Sequence, residues 1–159
     1  MKVIGINGSA RKDGNTSLLI KAVFAELEAE GIETDLVQLH GKALEPCKAC
    51  FGCGGKRQCV VKTDYFNECF AKMVEADGMV LGSPVYSADV TAGMKAFLER
   101  AGVVVATNPG MLRHKVGASV AAVRLLILQP VLRVSCSRNS GLSRVKLLPT
   151  SKRAGKRLW

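Results

Sequence analysis

The ten residues Gly8-Ser9-Ala10-Arg11-Lys12-Asp13-Gly14-Asn15-Thr16-Ser17 constrain the fold of this chain more than any others. Before them, Lys2-Val3-Ile4-Gly5-Ile6 reads as a short buried strand. After them the apolar residues fall at helical spacing to about Glu30, with Leu19, Val23 and Leu27 in one row and Ile20 and Phe24 beside it. Asn15 or Thr16 is placed to cap that helix, and Gly31 to end it. Residues 33–39 read as a second strand, so the segment is a βαβ unit, which predicts a parallel pair with a right-handed crossover.

The alternation continues. Asp64 to about Glu75 has helical spacing, with Phe66, Phe70, Met73 and Val74 on one side. Gly78–Gly82 reads as a third strand ending at Ser83-Pro84-Val85-Tyr86. Ser87 or Asp89 is then expected to cap a helix to about Ala101, with Val90, Met94, Phe97, Leu98 and Ala101 inward. Residues 116–123 read as a fourth strand. Strands and helices in strict alternation define an α/β, doubly wound parallel sheet.

At such a junction the backbone N–H groups of the helix N-terminus point toward whatever lies above it, and the helix dipole favours an anion there. Ser9, Thr16 and Ser17 add hydroxyls, Asn15 an amide and Arg11 a charged fork that matches phosphate, while Gly8 and Gly14 let the backbone turn tightly. The Gly-Lys-Ser/Thr ending of a Walker A loop is absent, and so is the Gly-x-Gly-x-x-Gly dinucleotide fingerprint. Taken alone, a Gly/Ser loop opening a helix can be a turn and a cap and nothing more. Paired with Ser83-Pro84-Val85-Tyr86, it resembles the NADPH-dependent FMN reductase superfamily, and within it the cysteine-bearing branch that includes the iron–sulfur flavoproteins, over about residues 1–124.

That resemblance implies a flavodoxin-like strand order 2-1-3-4 and an FMN with its phosphate over Ser9, Arg11, Asn15, Thr16 and Ser17. It places the isoalloxazine ring along Pro84, Val85, Tyr86 and Ser87, with NAD(P)H as hydride donor. A flavin, quinone, metal ion or Fe–S centre would accept the electrons, and the protein would be a homo-oligomer. The order agrees with the residues themselves, since in such a sheet the first and third strands flank the switch point where ligands sit. Tyr86 also has a plain reading as core or surface filler.

Cys47-x2-Cys50-x2-Cys53-x5-Cys59 puts four thiols in thirteen residues, preceded by Pro46. Four thiolates can hold a [4Fe–4S] cluster. Zinc sites usually use two separated cysteine pairs, and the ferredoxin spacing that ends in Cys-Pro is not matched. The spacing resembles that of the iron–sulfur flavoproteins, and unligated or redox-sensitive thiols remain the other reading. Lys48, Lys56 and Arg57 either offset thiolate charge or are solvated. Cys69 falls in the helical pattern beside Phe70 and reads as packing, and His40 and His114 read as surface residues.

The net charge is +10, but residues 1–99 balance to −2 and residues 100–159, which contain no acidic residue, to +12. Past Arg124 the periodicity fails, so residues 125–159 form an atypical basic tail and a fifth strand is in doubt. A frame-shifted or truncated end, a divergent native end and a nucleic-acid-binding extension are the three readings. Trp159 is the tail's single aromatic residue, which speaks against the third. Without a fifth strand, the fourth would be an exposed edge. No apolar run approaches the roughly 18 residues of a membrane span, and the N-terminus lacks a signal-peptide layout, so a cytoplasmic protein is expected. Three functions follow: an FMN-dependent oxidoreductase, an iron–sulfur flavoprotein electron carrier, or a basic nucleic-acid binder.

Overall fold

The computed structural model describes residues 1–123 and 132–137. Strands β1 (Lys2–Asn7), β2 (Glu33–Gln38), β3 (Gly78–Pro84) and β4 (Val116–Ala122) alternate with helices α1 (Asn15–Ala29), α2 (Phe66–Glu75) and α3 (Ala92–Ala106). The parallel sheet has the order β2-β1-β3-β4, as expected.

A fifth strand, β5 (Leu132–Ser137), closes the row beside β4. It runs antiparallel, with six residue pairs from Gly117↔Ser137 to Ala122↔Leu132. The fifth strand left open by the sequence is therefore present, and β4 has an antiparallel ladder partner on that side. The run Leu125–Leu128 and the remainder of the basic tail lie outside the described residues.

The strand period of two sorts the core into two layers. Ile4 and Ile6 point to the face covered by α2 and α3, where Phe66, Phe70, Phe97 and Met94 are buried. Val3 and Val80 point to the opposite face and meet Ile20 and Phe24 of α1. Gly82 lets α1 lie close to the sheet, because a Cβ there would stand 2.6 Å from Ile20 Cδ1. The Phe66 ring stacks on Phe70 at 5.3 Å between centroids and meets Phe97 at 5.6 Å. Truncating a buried phenylalanine of this kind costs about 3–5 kcal/mol.

Two expected caps are replaced by other residues. The N-cap of α1 is Gly14 rather than Asn15 or Thr16, and no side chain closes it. At α3 the cap is Thr91, not Ser87 or Asp89, and its hydroxyl accepts from the Met94 amide at 3.3 Å. Ser87 and Asp89 are taken up by a tight turn, in which Tyr86 and Asp89 exchange backbone hydrogen bonds of 2.9 and 3.1 Å. Gly31 does end α1: at φ +74° it donates to the Glu28 carbonyl while Ile32 reaches back to Leu27.

Candidate cofactor site and cysteine cleft

The loops after β1 and β3 leave the sheet side by side, because their strands are neighbours. The Gly8 amide donates to the Gly82 carbonyl at 2.8 Å, and the Thr91 hydroxyl donates to the Gly8 carbonyl at 2.7 Å. The Thr91 amide in turn donates to Ser83 Oγ at 3.1 Å. Thr91 therefore fastens the first loop to the start of the second. Gly8 is required here for space, not for a special φ: a Cβ would stand 2.9 Å from Met94 Cβ and 3.1 Å from Thr91 Oγ1. Gly14 is extended, with φ −81° and ψ 178°.

A buried amide network holds the floor of the first loop. Asn7 accepts from the Ser9 amide at 2.9 Å and donates to Gln38 Oε1 at 2.8 Å, and Gln38 donates to the Ser9 carbonyl. Ser9 Oγ accepts from the Arg11 amide at 3.1 Å, which curls the loop toward α1. Asn7, Gln38 and Thr91 are not among the residues expected from the sequence. Polar Asn7 and Gln38 at the ends of two adjacent apolar strands are the signal that points to them.

Within this frame Ser9, Thr16 and Ser17 are buried, while Arg11 and Asn15 are exposed at the rim. The amides of residues 15–17 open the helix and have no partner within it, by helix geometry. Ser17 Oγ is fully buried and has no hydrogen-bond partner among the described residues. Such a group costs about 1–3 kcal/mol unless something supplies a bond. An orphaned hydroxyl, open amides and a guanidinium side chain at one helix N-terminus fit the phosphate of a bound anion.

On the second loop Pro84 is buried, Val85 half-buried, Ser87 exposed, and the Tyr86 ring half-exposed. Val85 is tied by its amide to the Ala122 carbonyl at 3.0 Å. Ser87 and Ala88 both adopt left-handed conformations, at φ 49° and 65°. Two successive non-glycine residues in that region are strained, and strain of this kind persists only where the surroundings hold a loop in one shape. This turn follows β3, beside the loop that opens α1.

The four clustered cysteines line one cleft, with Arg100 at its wall. Cys53 is buried, Cys47 and Cys59 are partly buried, and Cys50 is exposed. Ala49, Phe51 and Arg57, none of them glycine, all have φ between 50° and 55°. Helix α3 and the two residues that follow it grip the loop along its length. Glu99 accepts from the Cys47 amide at 3.3 Å, and Thr107 Oγ1 lies 3.4 Å from Cys53 Sγ. Asn108 accepts from the Arg57 amide at 3.1 Å and donates to the Cys53 carbonyl at 3.0 Å.

Arg100 is the strongest of these grips. It is 2% exposed, and its guanidinium donates to Cys59 Sγ at 3.1 Å, the Glu45 carbonyl at 3.2 Å, the Val61 carbonyl at 3.4 Å and the Asp64 carboxylate. It also lies 4.2 Å from the centre of the Phe66 ring. Burial alone would raise the Asp64 carboxyl, but hydrogen bonds from the Glu45 amide and from Arg100 hold it below the usual carboxylate range. Burial alone would lower Arg100, yet its bonds to Cys59 and Asp64 hold it above its ordinary value.

Among the described residues, no three His, Cys, Asp or Glu side chains converge to hold a metal ion. A zinc ion would draw its sulfurs to about 2.3 Å from one centre. The cleft supplies four cysteine thiols, which match a [4Fe–4S] cluster in donor number and type. Cys69 is separate from it, fully buried in α2 as expected, and burial pushes its thiol up to about 12. His40 and His114 are exposed.

A doubly wound sheet of this order, with the N-terminus of α1 and the turn after β3 side by side at its switch point, defines a flavodoxin-like α/β protein. The chain belongs to the NADPH-dependent FMN reductase family, whose model matches residues 1–133. It is 40% identical over 141 residues to an iron–sulfur flavoprotein of Methanocaldococcus jannaschii, covering 89% of this chain and 65% of that protein. An iron–sulfur flavoprotein of Methanosarcina thermophila is 36% identical over 121 residues, covering 76% of this chain and 62% of its own. The chain thus spans somewhat under two thirds of the length of these relatives. Among solved structures, RosB with a bound intermediate superimposes with a TM-score of 0.61 at 22% identity, over 78% of this chain and 52% of its own. An FMN-dependent NADH-azoreductase from Bacillus anthracis in complex with FMN gives 0.53 at 12% identity, over 77% and 69%. These two likenesses show the fold alone. No helix among the described residues is long and apolar enough to cross a membrane.

Proposed function

We propose that the chain binds FMN across the loops after β1 and β3 and works as an FMN-dependent oxidoreductase, with NAD(P)H as donor and a small molecule or Fe–S centre as acceptor. The observation that carries this reading is the Ser17 hydroxyl at the N-terminus of α1, buried and without a partner among the described residues. Ser17, Thr16 and Ser9 would hold the phosphate from inside the loop, and Arg11 and Asn15 from its rim. Pro84, Val85, Tyr86 and Ser87 would form the shelf for the ring. The flavin supplies the hydride and electron chemistry when bound. The protein's part is to bind, orient and partly shield it, and no side chain need act as an acid or base.

Anaerobic titration with FMN tests this directly. Saturable binding that shifts the flavin's visible bands, followed by bleaching on NADH or NADPH, is expected. A chain that stays colourless in excess FMN overturns the reading.

The four thiols in one cleft favour a second reading, an iron–sulfur flavoprotein that carries electrons and has no substrate of its own. Cys47, Cys50, Cys53 and Cys59 would then hold a [4Fe–4S] cluster. About four iron atoms and four sulfides per chain after anaerobic reconstitution, with slow NAD(P)H oxidation, would select it over the first.

A further inference from the structure

Helix α3 and its C-cap meet the cysteine loop at three of its four thiol positions, and among the described residues only Arg100 brings a full charge onto a sulfur. Its geometry allows little freedom. The guanidinium is planar and carries five donors in a fixed fork. Here one arm is held by the Asp64 carboxylate and the Glu45 carbonyl, and the other by the Val61 carbonyl and Cys59 Sγ. The Asp64 side chain is 1% exposed and that of Arg100 2%, so the pair is locked away from bulk water. Removing charges from water is expensive, and a pair like this adds little net stability. Its aim at one particular sulfur is therefore informative.

We infer that Arg100 is a positioning residue that sets the reduction potential of an iron–sulfur cluster ligated through Cys59, with Asp64 fixing its direction. This rests on the iron–sulfur reading given above. Reduction adds one electron and one negative charge to the cluster and its thiolates. An N–H donor and a fixed positive charge at a ligand sulfur stabilise the more negative state, and such contacts are a recognised control of cluster potential. Lys48, Lys56 and Arg57 stand at the exposed surface of the loop, where water screens them. Arg100 acts from the dry side.

The test uses the full chain, reconstituted anaerobically with ferrous iron and sulfide, as wild type, Arg100→Lys and the paired variant Arg100→Gln with Asp64→Asn. The pair avoids leaving a buried carboxylate alone. Each is titrated with dithionite through mediator dyes while the visible spectrum and the electron paramagnetic resonance of the reduced form are recorded. In the paired variant the reduction equilibrium is expected to shift at least tenfold toward the oxidised form, about 59 mV for a one-electron couple. Arg100→Lys is expected to shift it less, because the charge stays while the directed N–H is lost. Iron content equal to wild type with the equilibrium unmoved in both variants overturns the role of Arg100 and leaves the cluster reading standing. Wild type that takes up FMN but no iron overturns the cluster reading and this inference with it. If the paired variant fails to fold, Arg100→Lys decides by the same two outcomes.

Discussion

The phosphate loop and the cysteine loop are built in opposite ways. The first is short, joins two adjacent elements, and is shaped mainly by its own backbone and by two amide side chains at strand ends, Asn7 and Gln38. The second lies within residues 39–65, between β2 and α2, where no helix or strand forms. It holds three left-handed non-glycine residues and is pinned by side chains of the distant helix α3, by the residues that end it, and by Asn67 of α2, which bonds to Cys59 and Val61. A site made by backbone tolerates side-chain loss, whereas a site pinned by a buried ion pair depends on a few atoms. The two loops should therefore fail differently.

The largest effect is expected at the pin. Arg100→Ala leaves the Asp64 carboxylate buried without its partner, and losing one member of such a pair costs about 3–5 kcal/mol. Chemical denaturation should show a loss of that size, and Cys59 and Cys53 should alkylate faster in the native protein. An equal or larger loss of FMN affinity would break the comparison, because it would mean that the two loops depend on the same contact.

The same pin gives a pH dependence. The Asp64 carboxyl is held below its ordinary value in the folded chain, so its contribution is fully present above the unfolded value, about 3.9. It is lost as pH falls through the lower folded value. Stability measured across that acid range should decline less steeply in Asp64→Asn than in wild type, from a lower starting point. Parallel declines would remove Asp64 from the account.

At the phosphate loop the expected effect is smaller, and it has two signs. Ser17→Ala removes a buried hydroxyl that has no partner among the described residues, so the FMN-free protein should gain about 1 kcal/mol. The same change should weaken FMN binding about tenfold, equivalent to about 1.4 kcal/mol. Calorimetry of the FMN-free protein and an FMN titration read the two signs separately. A loss of stability in the FMN-free protein would show that the hydroxyl already has a partner and would sharpen the contrast against the preformed loop.

The alternation of strand and helix is legible in the sequence because periods of two and 3.6 are local properties, and the adjacency of the two loops follows from strand order. The cap of α3 is not legible there. Ser87 and Asp89 are good capping residues, but Thr91 is chosen by a hydrogen bond to Gly8, 83 positions away. Arg100 does leave a signal: Phe97, Arg100, Ala101 and Val104 share one helical face, and all four are buried. An arginine on an apolar face implies a buried partner, although spacing alone does not name Asp64. The antiparallel direction of β5 is hidden for a different reason, since a short strand beyond a break in periodicity carries no mark of its direction.

The smallest effect is expected at Cys69, which separates packing thiols from cleft thiols. Burial pushes this thiol up to about 12, whereas an unfolded cysteine ionises near pH ~8.5. The folded chain therefore keeps its proton through the range in which the unfolded chain loses it. The associated stability is fully present below about pH 8.5 and is lost as pH rises toward the folded value. At mildly alkaline pH, iodoacetamide followed by peptide mass analysis should modify exposed Cys50 first and leave Cys69 unmodified. Modification of Cys69 at a rate near that of Cys50 would place α2 among the parts of the molecule that open readily, and would extend the weakness of the cysteine loop into the core beneath it.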